Sequence, residues 1–197
     1  MKKKIIFALS IQMFSSMLFA QQLQLINFNK EREKITRTGI KILATYSAAN
    51  IIYGSIAASQ TTGSNKYFHE MNAIWNGITL GITGIGFLTA KKEGTLSYGE
   101  SLKKQQHIEK LFLFNAGLDV AYIVGGAYLK ERAKTTIKNP LRLKGYGESV
   151  MLQGGVLLLF DGVMYAIHNR HGKALTKMGE KLQLGATENG IGLSVKL

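Results

Sequence analysis

Residues 154–171 read GGVLLLFDGVMYAIHNRH, an apolar run that would pass for a membrane span but for Asp161 at its centre. A carboxylate among Leu157, Leu159, Phe160 and Met164 costs several kcal/mol in hydrocarbon unless it is neutralised or paired. Such a residue persists where it meets a proton, a cation, water or another polar side chain. Three similar blocks precede this one, so that Ile40–Ala58, Met71–Ala90, Leu111–Leu129 and Ser149–His168 form a series. Each has 19 or 20 residues, enough as a helix to cross roughly 30 Å of hydrocarbon. Their charged side chains are Lys41, Asp119 and Asp161. The helices of a soluble four-helix bundle would each carry a polar outer stripe, which these blocks lack. The expected fold is therefore all-α, a four-helix transmembrane bundle built from two helix hairpins. Small residues four apart (Gly54 with Ala58, Gly77 with Gly81, Ala121 with Gly125, and the run GITGIG at 81–86) are expected where helix backbones approach closely.

The 197-residue chain is long enough for one domain, and a mean hydropathy of +0.04 conceals its division into apolar blocks and basic connections. It has no Cys, which excludes disulfides, thiol catalysis and Cys-ligated zinc. The net charge of +13 would suit nucleic acid, but Lys and Arg lie between apolar blocks rather than on one recognition face. They read as flanking charges against anionic headgroups, with the lipid bilayer as partner and no nucleic acid.

The N-terminus, MKKKIIFALSIQMFSSMLFAQQ, has the basic start, apolar stretch and small Ala20 of a secretory signal peptide over residues 1–20; an uncleaved signal anchor is the alternative. The helical domain then spans 21–170, with a polar tail over 171–197. Export would place the chain in a bacterial inner membrane, with the segments before the first span, between the second and third, and after the fourth facing outward. Those segments carry 14 Lys and Arg against 7 in the two inward loops, the reverse of the positive-inside preference. In the tail, KLQLGATENGIGLSVKL alternates apolar and polar residues around Asn189-Gly190, the pattern of a short β-hairpin, with a frayed tail as the alternative.

An offset of 69 residues places Asn50 on Asp119, Tyr46 on Asn115, Tyr53 on Tyr122 and Ala57 on Gly126, each set on one helical face. An offset of 85 places Trp75-Asn76-Gly77 on Phe160-Asp161-Gly162. This weak internal repeat suggests one buried polar layer of Asn50, Asn76, Asp119 and Asp161, bordered by Tyr46, Tyr53, Tyr122, Tyr165, Asn115 and Gln153. No Lys or Arg shares that depth. Two readings remain open: neutral Asp and Asn as interhelical glue, or a site for a proton, cation or small polar molecule.

The stretches YFHEMNAIWNG (67–77), NAGLDVAYIVGGAYL (115–129) and RLKGYGESVMLQGGVLLLFDG (142–162) resemble an uncharacterised family of small bacterial membrane proteins, a domain of unknown function. The resemblance covers about residues 28–170. It implies a polytopic helical protein and no activity.

His168 and His171 stand three apart beside Arg170 and read as a solvated interfacial pair rather than metal ligands. No phosphate loop, dinucleotide fingerprint or serine elbow occurs, so no catalytic or metal residue is assigned, the cofactor is unknown, and no enzyme is expected. The leading function is binding or passage of a proton, cation or small polar molecule at Asn50, Asn76, Asp119 and Asp161 with Tyr53 and Tyr122. The rival is a structural or assembly protein of the envelope, as a homo-oligomer or with an envelope protein partner. If the signal is cleaved after Ala20, the intact mass of purified protein corresponds to a chain starting at Gln21; a mass that retains Met1–Ala20 identifies an anchor instead.

Overall fold

The structure, a computed structural model, describes residues 2–89, 95–180, 182–187 and 190–195. Four α-helices follow in order: α1 Lys2–Gln60, α2 Gly63–Thr89, α3 Tyr98–Arg132 and α4 Pro140–Glu180. Two strands, β1 Leu182–Thr187 and β2 Gly190–Val195, pair antiparallel with Thr187 opposite Gly190. Ala90, at the end of the second apolar block, and Asn189, in the expected turn, lie outside the described residues. α1 runs unbroken through Ala20 and Gln21. The helices outlast the apolar blocks; at 1.5 Å per residue, the 41 residues of α4 extend roughly 60 Å.

The ends of the helices have local causes. Gly63 at φ 64° makes the tight turn after Gln60, and Asn139 at φ 55° sets up Pro140, whose missing N–H costs nothing in a first turn. Ser97 caps α3 in a capping box, with its hydroxyl accepting from the Glu100 N–H while the Glu100 carboxylate accepts from the Ser97 N–H. That backbone bond, with a second from the Ser97 hydroxyl, holds the Glu100 carboxyl below its ordinary range.

Contacts along the helices fix their directions. Gly54 of α1 lies on His69 and Ala73 of α2, so these helices are antiparallel; Gly126 and Gly154 likewise mark an antiparallel α3/α4 pair. Gly145 lies on Ser64 and Phe68, so α2 and α4 run side by side in the same direction. α1/α2, α2/α4 and α3/α4 are the close pairs. α2 and α3 stand farther apart, spanned by Trp75 and Tyr122, whose rings meet edge to face at 4.8 Å.

Seven-residue steps explain the α3/α4 seam. On α4, Gly147, Gly154, Asp161, His168 and Leu175 are all buried; on α3, Gln105, Asp119 and Gly126 are buried on the same spacing, with Phe112 between them. Such steps keep one stripe of a helix on its partner along its whole length. The glycines expected at helix contacts are partly corrected. Gly77, Gly81, Gly84, Gly86 and Gly125 have nothing within 4 Å of where a Cβ would stand, whereas Gly54, Gly126, Gly147 and Gly154 lie against a neighbouring backbone. Gly125 misses because it lies one position, about 100° round the helix, from the seven-residue stripe.

The interior is polar and the exterior apolar. Among the described residues the buried large hydrophobics are Phe28, Val150, Met164 and Leu175, while Asn72, Asn76, Gln105, Asp119, Gln153 and Asp161 are all buried. Outward-facing large apolar side chains occur on every helix, including Ile52, Ile78, Phe114 and Leu159, each more than half exposed. Among the described residues, two helices, α3 and α4, are long and apolar enough to cross a membrane. The neighbouring glycines give a paired test by unfolding in detergent. A Cβ on Gly126 would sit 2.6 Å from the Gly147 carbonyl oxygen and 2.8 Å from the Met151 nitrogen, so Gly126→Ala is expected to lose about 1–3 kcal/mol. Gly125→Ala, with open space around it, is expected to be neutral or to gain up to about 1 kcal/mol.

Candidate functional site

Asp119 and Asp161 meet across the α3/α4 seam. The residues are not level, but side chains lean toward the N-terminus of their own helix, and in an antiparallel pair that brings the two carboxyls together. Their carboxyls stand within hydrogen-bonding reach of each other, and a bond between them would need a proton on one. Asp119 is 2% exposed and Asp161 6%. The second Asp119 oxygen, Oδ2, is buried without a hydrogen-bond partner among the described residues. Both acids line a pocket of about 170 Å³ with Thr79 and Thr83 of α2 and Asn115 and Tyr122 of α3. No Lys or Arg is among its lining residues. Such a place accepts a proton, a cation or a hydrogen-bond donor.

The amides form a separate cluster. Gln153 donates to the Asn72 side-chain oxygen, which also accepts from Asn76 at 3.2 Å, while Asn72 donates to Asn50 at 3.1 Å. Tyr46 donates to the Gln153 oxygen at 3.3 Å. Asn50 and Asn76 further tie their Nδ2 groups to backbone carbonyls one turn back, at Tyr46 and Asn72. Gln153 precedes Asp161 by eight residues, roughly 12 Å along α4. The single layer expected from the sequence is therefore two layers: a carboxyl pair between α3 and α4, and an amide knot joining α1, α2 and α4.

Tyr53 is corrected outright. It is 61% exposed and set edge-on to His69. The buried face of α1 centres on Ser47 and Gly54, so Tyr53 falls to one side. Tyr122 does reach the site. Asn72 has no counterpart in the repeat that marked Asn50 and Asn76, since an offset of 85 maps it onto Leu157; its four-residue step to Asn76 was the available signal.

A third polar group lies at the other end of the seam. Arg32 of α1 is 1% exposed and donates to the Ser101 carbonyl at 2.9 Å, and Asn29 donates to the Ser101 hydroxyl. The histidines are not a solvated pair. His168 is 0% exposed, stacked on Phe112 with its backbone carbonyl accepting from Gln105. His171 stacks on Phe28 at 4.1 Å with the rings nearly parallel. His168 is buried because it continues the Gly154–Asp161 stripe into α3. Among the described residues, no three acidic or histidine side chains converge to hold a metal ion.

The model of a family of unknown function (DUF6992) matches residues 42–162, which include both acids and the whole amide knot. No curated protein matches the chain. No solved structure matches it either.

Because Asn72 supplies the side-chain acceptor for Gln153 and the donor to Asn50, Asn72→Ala strips the buried Gln153 amide and the Asn50 oxygen of these partners and should cost about 1–3 kcal/mol. Tyr53→Phe, at an exposed position, should stay within about 0.5 kcal/mol of the parent. Denaturation of each variant in detergent checks the contrast.

Proposed function

Because the chain belongs to this family of unknown function, which brings no activity with it, we propose from its own geometry that it is a four-span protein of a bacterial inner membrane. Its spans run over about 40–58, 71–90, 111–129 and 149–168 after an export signal at 1–20, and it acts as a non-catalytic binder or conductor of a proton, cation or small polar molecule. What supports the membrane reading is the reversed partition of side chains. A soluble protein rarely exposes apolar area on this scale, and hydrocarbon around the bundle accounts both for it and for a polar interior in which the amide donors are held by amide and backbone acceptors.

One observation carries the functional reading: Asp119 and Asp161 face each other in a pocket with no basic residue among its lining, and one Asp119 oxygen has no hydrogen-bond partner among the described residues. Glue alone gives no reason for two acids here, since Asn at either position would bridge the helices without a charge to neutralise. The amide knot does favour the structural reading for its own residues, because Asn50 and Asn76 are engaged within the protein. Asn50 and Asn76 thus hold the bundle, and the acids form the site.

Thermal unfolding across pH and with added monovalent or divalent cations tests this. Wild type is expected to shift its midpoint with pH or with one of the cations, and Asp161→Asn, which keeps the shape and the hydrogen-bonding capacity, is expected to lose that response while remaining folded. Identical profiles for the two proteins would refute the site and leave an envelope structural or assembly role.

A further inference from the structure

The site has a side entrance. Ile82 of α2 and Leu118 of α3 line the same pocket as the two acids, and both are also on the outer surface, 66% and 38% exposed. They stand where α2 and α3 lie apart, so the mouth faces the hydrocarbon under the four-span reading. A bare inorganic ion would have to shed its water in lipid to enter there, which is prohibitive. A charged group carried on an apolar body can arrive by that route.

The lining specifies the charge. Two carboxyls, one with a free buried oxygen, and the Tyr122 ring stand together with no basic group among the lining residues. Carboxylate and aromatic face are the two protein groups that stabilise an organic cation. At about 170 Å³, the pocket is smaller than the roughly 300 Å³ lower limit of sites that enclose a whole drug-sized molecule. It fits an ammonium-sized head, with the remainder lying between Ile82 and Leu118. A zwitterionic phospholipid headgroup is disfavoured because its phosphate would follow the ammonium toward the acids.

Resting on the reading of the acid pair as a site, we propose that the ligand is a lipophilic monocation, an amine or quaternary ammonium on an apolar chain, which enters laterally between α2 and α3 and places its cationic head on Asp119, Asp161 and Tyr122. Binding neutralises the pair's ionised form and sets a positive charge against the buried Asp119 oxygen.

The test uses full-length protein in phosphatidylcholine nanodiscs and a fluorescent alkyl trimethylammonium, with the uncharged alcohol of the same chain length as control. Expected is saturable binding of the ammonium and none of the alcohol. Asp161→Asn should weaken it by roughly thirtyfold or more, the loss typical of removing one partner of a desolvated charge pair. Leu118→Trp and Ile82→Trp, which narrow the mouth without removing either acid, should each slow or block entry of the ammonium. Equal binding of ammonium and alcohol, unchanged affinity in Asp161→Asn, or no binding to wild type overturns the proposal. If the ammonium fails while the pH or inorganic-cation response of wild type persists, the ligand class falls and the site reading stands; loss of both removes the site as well.

Discussion

The bundle depends on the direct contact of the α4 backbone with that of α3. A Cβ on Gly154 would stand 2.9 Å from the Asp119 carbonyl oxygen, and one on Gly147 would stand 2.6 Å from that of Gly126. With no side chain between them, the two helices touch at these points, and the seven-residue stripe then carries Asp161 and His168 into the same seam. Asp119 meets Asp161 because of that approach. The close α3/α4 pairing leaves α2 to pack on the other flank of α4, where Gln153 reaches Asn72. The remaining gap between α2 and α3 becomes the pocket. The first helix pair uses the same device at Gly54 on His69 and Ala73; the offsets of 69 and 85 carry Gly54 and His69 onto Ile123 and Gly154, which also lie against each other.

Polar groups do different work at different depths. The amide knot engages its donors within the protein, with Asn50, Asn72, Asn76 and Gln153 bonded to one another or to backbone carbonyls, and it ties three helices together. The acids are not self-sufficient, since Asp119 Oδ2 is buried without a hydrogen-bond partner among the described residues. Their unmet capacity, placed beside a pocket, distinguishes a binding centre from a strut. Arg32 and His168 lie buried at the far end of the seam.

Much of this was legible in the sequence. The four apolar blocks each fell within a helix apart from Ala90, and Asp119 and Asp161 were marked because an acid in an apolar run demands a partner. What misled was the choice of face. Periodicity shows which residues share a side of a helix, but not which side meets a neighbour: Tyr53 shares a stripe with Asn50 yet points outward, and Gly125 is one position from the contact that Gly126 makes. The regular spacing of Gly147, Gly154, Asp161, His168 and Leu175 was the overlooked clue, since it selects the buried stripe and would have placed His168 inside. The division of the polar residues into two layers depended on how far α2 slides along α4, a distance set by packing and invisible in spacing alone.

Infrared spectroscopy of the protein in lipid examines the central claim, that Asp119 and Asp161 form a hydrogen-bonded pair holding a proton inside the bundle. Wild type should show a protonated carboxylic C=O stretch near neutral pH, and the double variant Asp119→Asn/Asp161→Asn should lack it. A wild-type spectrum with carboxylate bands alone, indistinguishable in the carboxylic region from that of the double variant, would contradict the pairing.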